Sequence, residues 1–436
     1  MCSVKPSFYY VRPVLSRPLH KWLSSSRQWD IVYGGFLHNH ITHNWVVMGA
    51  IGLDDNEAES KMRWWRDVYS SHTIGGAGLE PARDVDSSMH SITPSSWSKH
   101  IVFSDFTDYP AFLQYFDDQL RTGSIDDVVQ RHVPELIHGL AGSALHPIIH
   151  LGLGMESEHK GMVAEGLACM CCACLSLPLP SSPALWTEDS SSQGLIDSAV
   201  GFLSRAQEGS FHDRAKKASE TPEYMAHNIG SFQRRLLAFT DSSYPMLGTL
   251  NDACPLRLPP VDQSMFPAVK EATALAAASF LASNCEFFVI HGLTSLHGLL
   301  VVMQYLPEDL QRDAIIHWWR AVAAVLVCQG IPNAEGLLDR LHRWQDAESA
   351  YTLTDTGTDS QAFPVPVNHE AWWQSALHEA LKSTDEHVPK AVYALWRWSC
   401  WQNMPPHSLE LFRDAAANIV RPTDGGGPEK HIWFAG

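Results

Sequence analysis

The run His138-Gly-Leu-Ala-Gly-Ser-Ala-Leu-His-Pro-Ile-Ile-His-Leu-Gly-Leu-Gly places three imidazoles in a stretch otherwise made of small and apolar residues. A segment of that kind belongs in a core, and a core must supply each ring with a partner. Pro147 fits the first turn of a helix, where its missing N–H does no harm. On such a helix His146 and His150, four apart, project from nearly one face. The pair can grip one cation, or one ring can bind while the other supports it. The commoner fate of two histidines on a helix face is packing and hydrogen bonding, so the pattern gains weight only by recurring.

It recurs. Four separated segments each set a histidine among apolar or small neighbours: His40, His146, His291 and His387. Three of them have a rival close by, His43 beside His40, His150 beside His146, and His297 beside His291. Burying four such rings separately requires four unrelated hydrogen-bonding arrangements, whereas one shared centre requires one. All-imidazole coordination suits iron, copper, nickel or zinc better than calcium or magnesium. The 23 histidines, nearly as many as the 28 glycines, are the compositional trace of the same feature.

Composition narrows the classes. The 436-residue chain is 45% hydrophobic and 18% charged, values of a globular protein. A net charge of −17 with no basic run repels polyphosphate and anionic lipid, which argues against nucleic-acid binding. The longest apolar runs, such as 321–328, fall well short of the roughly 18 residues a membrane span needs. Nine cysteines, an odd count, and an N-terminus without an apolar signal core point to a reducing, cytoplasmic setting. Cys169, Cys171, Cys172 and Cys174 contain two overlapping Cys-x-x-Cys spacings, but one continuous apolar helix would spread them round its axis as core thiols. Gly75, Gly76 and Gly78 lack the spacing and flanking strand of a dinucleotide fingerprint. No Walker sequence or Gly-x-Ser-x-Gly elbow occurs, so neither a Rossmann domain nor a flavin is expected. Glu135 with His138 and Glu156 with His159 have the spacing of di-iron bundles, yet both flank one Gly-rich segment, whereas such bundles draw ligands from four helices.

Periodicity predicts a mainly α, multi-helix, bundle-like fold with long surface loops. An aromatic, basic arm with Pro6, Pro13 and Pro18 covers 1–33, one large helical domain 34–420, and a loose tail 421–436. Loop excursions are expected over about 175–230 and 352–368. Helices are expected over 37–48, 56–69, 106–120, 125–140, 268–281, 299–305, 308–329 and 370–381. A last long helix should begin with Asp385 as N-cap and Pro389 in its first turn.

The segments Asn39-His-Ile-Thr-His, Leu145-His-Pro-Ile-Ile-His-Leu-Gly-Leu-Gly-Met-Glu, Ile290-His-Gly-Leu-Thr and Asp385-Glu-His-Val-Pro-Lys-Ala together resemble the questin oxidase-like family, over about 34–395. The resemblance implies a non-haem iron centre held by four histidines and a carboxylated lysine. Carried over segment by segment, the ligands are His40, His146, His291, His387 and Lys390. A protonated ammonium cannot ligate, but a desolvated, neutral amine can add carbon dioxide to give an anionic oxygen donor. Without the resemblance, Lys390 reads as a snorkelling surface lysine. Glu156, ten residues after His146, is a candidate acceptor for a ligand ring's outer proton. Phe36, Trp45, Phe287 and Trp396 would suit a planar substrate, although aromatics beside a helical core are more often packing.

The activity implied is an Fe(II)- and O2-dependent oxygenase that opens an anthraquinone-type polyketide beside a carbonyl, a Baeyer–Villiger-type outcome in secondary metabolism. NADPH is compatible with it, although no residue indicates one. No catalytic acid or base stands out, and nothing fixes the oligomeric state. The competing readings are a metal-free helical binding or scaffold protein and a zinc-dependent hydrolase, since imidazoles also hold zinc.

Overall fold

The computed structural model describes residues 17–33, 37–71, 80–177, 194–227, 229–241, 246–253, 264–283, 287–330, 333–354, 369–383, 385–401 and 404–420. Most of the N-terminal arm, the Gly75–Gly78 turn, Phe36, the Pro/Ser-rich stretch 178–193, the loop 355–368 and the tail 421–436 lie outside them.

Among the described residues the fold is all-α apart from one two-stranded ribbon. It begins with α1 (Arg17–Ser25), the ribbon strands β1 (Val32–Tyr33) and β2 (Leu37–His38), α2 (Ile41–Ala50), α3 (Asp55–Ser71), α4 (Tyr109–Thr122) and α5 (Ile125–Leu136). The middle comprises α6 (His146–Glu156), α7 (Lys160–Cys172), α8 (Leu195–Glu208), α9 (Phe211–Ser219), α10 (Pro222–Met225), α11 (Ser231–Thr240) and α12 (Met246–Ala253). The last third comprises α13 (Phe266–Ala282), α14 (Phe287–Met303), α15 (Glu308–Gln329), α16 (Ala334–Thr354), α17 (His369–Ala380), α18 (His387–Ser399) and α19 (Pro406–Val420).

The helix expected over 37–48 starts later. The antiparallel ribbon takes Leu37 and His38, with Val32 opposite His38, and His40 becomes the N-cap of α2. The expected excursion over 175–230 is largely helical from Leu195 onward. Leu195, Ile196, Ala199, Phe202, Leu203 and Ala206 are buried at helical spacing, and α8 packs on α12, α13 and α16. Only Asp197 and Arg205 are charged between these positions, so the apolar stripe stands in the sequence itself, between a Pro/Ser-rich stretch and a charged one. The short helix expected over 299–305 is the end of the longer α14, and α19 follows the one expected to be last.

The centre is α6 against α14. Every residue of α6 is buried, and so is all of α14 except the half-buried Phe288, as expected for helices apolar on all sides. Helix α6 packs on α7 and α14, while α14 also touches α13, α15 and α18. The crossing is a backbone contact: a Cβ on Gly152 would lie 2.2 Å from the Gly298 Cα, and one on Gly298 would lie 2.5 Å from the Ile148 carbonyl oxygen. The glycines of both apolar segments therefore set the interaxial distance and bring the histidines of the two helices within reach of each other.

The four cysteines of the 169–174 cluster are buried free thiols in and just after α7. Burial pushes all four up from the ordinary thiol range, so they behave as small hydrophobes. No helix among the described residues is long and apolar enough to cross a membrane.

Candidate metal centre

Just before α6 the backbone takes an uncommon course. Ser143, Ala144 and Leu145 are consecutive non-glycine residues with φ of 47°, 50° and 67°. A left-handed conformation costs roughly 1–2 kcal/mol per residue, so the surrounding core must hold this turn in place. The turn delivers the Ser143 carbonyl to His146 Nδ1. A carbonyl only accepts, so Nδ1 carries the ring proton and Nε2 presents a lone pair.

On α14, His291 Nδ1 donates to the Phe287 carbonyl at 2.9 Å, which leaves its Nε2 as a lone pair too. The two Nε2 atoms face each other at 3.0 Å. At the start of α18, His387 Nδ1 donates to Asp385 Oδ1 at 2.8 Å, and the His387 backbone N–H donates to the same oxygen at 2.9 Å. Its Nε2 is buried with no hydrogen-bond partner among the described residues. His40 completes the group, its Nε2 lying 2.9 Å from His146 Nε2. The His387 ring centre lies 4.6 Å from that of His40 and 5.0 Å from that of His291.

Burial drives His40, His146 and His291 well below the ordinary imidazole range, and Lys390 adds to this, so the rings stay neutral near pH 7. If His40 donates from Nε2 to His146, the lone pair of His291 still points at that of His146. Neutral rings cannot remove this clash of lone pairs, whereas a shared cation turns it into coordination.

Lys390 lies one turn beyond His387 on α18, is 2% exposed, and packs its Nζ against His40 Nδ1. Burial brings its ammonium down to about 7, against the opposing pull of Glu386 and Asp385. The snorkelling arrangement does not occur. The five residues named from the sequence thus meet in one buried place, drawn from the N-cap of α2, α6, α14 and α18.

Their neighbours go elsewhere. His43 and His150 gather with His38, which sequence reasoning passed over, into an adjacent group of three. His297 donates from Nε2 to Glu156 at 2.8 Å. Glu156 therefore does not take a proton from any of the five, contrary to the reading of it as a support for a ligand ring. It also accepts from Tyr393 Oη at 2.8 Å and pairs with Arg397 at 3.2 Å. Burial alone would raise this carboxyl, but His297, Arg397 and Tyr393 together hold it below the ordinary carboxylate range. His159 caps α7 by accepting from the Met162 N–H, which gives the Glu156–His159 spacing a structural use. Asp385, expected as an N-cap, orients the His387 ring, and Glu386 takes the capping position.

Among the aromatics, Phe287 lies edge-on to His291 and His387, with ring centres 5.1 and 4.7 Å away. Trp45 packs on Trp22 and donates to the Met62 carbonyl, and Trp396 packs on Tyr393.

Comparison with known proteins reaches the same set of segments. Residues 37–395 match the family described as questin oxidase-like. A Baeyer–Villiger oxidase of Pestalotiopsis microspora is 24% identical over 330 residues, 71% of this chain and 68% of that protein. A Baeyer–Villiger oxidase of Emericella nidulans is 27% identical over 139 residues, 30% of this chain and 29% of that protein. A questin oxidase of Aspergillus fumigatus is 27% identical over 154 residues, 33% of this chain and 31% of that protein. With the match running from β2 to α18, the chain belongs to the questin oxidase-like family, whose named relatives are oxidases and monooxygenases.

Proposed function

We propose that this protein is a non-haem iron oxygenase that opens an anthraquinone-type aromatic polyketide by cleaving a C–C bond beside a carbonyl. His40, His146, His291 and His387 would hold the metal, together with Lys390 as its carbamate. The observation that carries this reading is the opposed pair of Nε2 lone pairs on His146 and His291, 3.0 Å apart, each ring's proton being committed to a backbone carbonyl. Neutral imidazoles with one anionic oxygen donor make a donor set suited to Fe(II). When bound, Fe(II) supplies the one-electron chemistry that lets O2 react with a closed-shell aromatic.

The residues of this chain do the rest. The Ser143 and Phe287 carbonyls fix the tautomers of His146 and His291, and Asp385 that of His387, as outer partners of metal-binding histidines generally do. Burial keeps the His40, His146 and His291 rings neutral, and Phe287 offers an apolar edge to the site. The relatives named questin oxidase and Baeyer–Villiger oxidase supply the substrate class and the ring-opening outcome. If one atom of O2 enters the ring bond and the other leaves as water, two electrons are needed, and a reduced nicotinamide such as NADPH would supply them.

The test is metal quantification on protein purified without oxygen, alongside O2 uptake with an anthraquinone substrate. Near-stoichiometric iron, lost in His291→Ala, is expected. Lys390→Ala should lose most activity and regain part of it with added acetate. Turnover without O2, or full activity with zinc alone, would replace the oxygenase with a hydrolase, and a well-folded protein that binds no metal would leave a binding or scaffold role.

A further inference from the structure

We propose a second transition-metal site beside the first, formed by His38 Nε2, His43 Nε2 and His150 Nδ1. The sequence interleaves the two groups. From the first stretch His40 goes to the site described above while His38 and His43 go to this one; from α6 His146 goes to the first and His150 to the second. His38 lies on β2, His43 on the first turn of α2 and His150 on α6, and all three are at most 3% exposed.

Hydrogen bonding alone does not satisfy these rings. His150 Nε2 lies 3.2 Å from Glu165 Oε2, and an acidic oxygen there fixes the ring proton on Nε2, leaving Nδ1 with one lone pair. Two other ring nitrogens converge on that lone pair, His43 Nε2 at 3.0 Å and His38 Nε2 at 3.4 Å. One of them can donate to it, and the other is then left facing an occupied acceptor. If His43 donates, its Nδ1 is a buried lone pair with no hydrogen-bond partner among the described residues. A cation that accepts one lone pair from each ring removes the conflict.

The outer partners suit such a site. Glu165 stands behind His150 as a carboxylate does behind a metal-bound imidazole, and is itself steadied by Arg27, whose Nε lies 3.8 Å from Glu165 Oε1. Behind His38, Cys169 Sγ lies 3.9 Å from Nδ1. Three imidazoles favour zinc or iron(II) over calcium or magnesium. An ion held there would tie β2 and α2 to α6, where His40 and His146 sit, so it would brace the first site as well.

The test loads metal-stripped full-length protein with zinc alone and measures bound metal per chain and thermal stability, for wild type, His43→Asn, His38→Gln and His291→Ala. The expected result is two equivalents in wild type. His43→Asn or His38→Gln should keep one equivalent and lose about half of the zinc-induced rise in Tm, and so should His291→Ala. One equivalent that disappears in His291→Ala and survives both other substitutions overturns the second site and leaves the first. One equivalent that survives only in His291→Ala supports the second site and removes the first. Loss of a single equivalent in all three variants means one shared ion and overturns this proposal. Circular dichroism identifies an unfolded variant, and for that variant an anomalous-scattering map of the zinc-loaded wild type decides: two peaks support the site, one refutes it.

Discussion

Glu156 is the place where the three central helices are fastened. It ends α6, accepts from His297 of α14, and takes Tyr393 and Arg397 of α18. Those three helices carry His146, His291 and His387. Glu156→Gln keeps the side-chain volume and removes the charge. A hydrogen bond to a charged group contributes roughly 1.5–3 kcal/mol, and removing one partner of a buried ion pair costs about 3–5 kcal/mol. Gln retains one acceptor for Tyr393 but offers N–H groups elsewhere, so a loss of about 3 kcal/mol is expected. Tyr393→Phe should cost about 1.5 kcal/mol. Because both act through one carboxylate, the double variant should cost less than the sum by more than 0.5 kcal/mol, the usual bound for independent sites. Equilibrium urea unfolding of the four proteins at pH 7 measures all three quantities. Metal retention in Glu156→Gln should fall together with stability, since the ligand-bearing helices loosen. A loss below about 1 kcal/mol, or strict additivity with Tyr393→Phe, would refute the picture of one buried carboxylate fastening the site.

Three further outcomes follow from the same structure. Gly152→Ala puts a Cβ 2.2 Å from the Gly298 Cα, so α6 and α14 must separate; a loss of about 1–3 kcal/mol is expected in urea unfolding, and an unchanged midpoint would contradict the backbone contact. Asp385→Asn keeps the acceptor for His387 but loses its charge, and should weaken metal retention in chelator competition about tenfold, with unaltered retention as the contrary result. Burial first, with Arg320 and His138 adding to it, lowers His317 from 6.5 to about 3. The unfolded chain therefore takes up this proton first, and its contribution to stability is complete above pH 6.5 and is lost as pH falls toward 3. His317→Gln should unfold less steeply across that window than wild type, and parallel acid-unfolding curves would refute the assignment.

The histidine-bearing apolar segments were readable because an imidazole in a hydrophobic stretch is costly unless it is partnered, and that cost is written in the chain itself. The same holds for α15, whose span 308–329 was expected from periodicity and is found unchanged. The apolar stripe of α8 is legible at helical spacing, but the Pro/Ser-rich stretch before it and the charged stretch after it extend the expected loop across it. The left-handed turn at Ser143–Leu145 was hidden: none of its residues prefers that conformation, and only the packed core makes it affordable.

Local pattern settled that helices form, that certain rings are buried, and that Lys390 follows His387 by one turn. It could not distinguish His40 from His43, or His146 from His150, because both members of each pair are buried near the same helix start. The division comes from where distant elements arrive. Helices α14 and α18 bring His291, His387 and Lys390 to one side of α6, while β2 and α7 bring His38 and Glu165 to His150. Which nitrogen meets which depends on a crossing set by Gly152 and Gly298, 146 positions apart, and no local propensity encodes a distance between them.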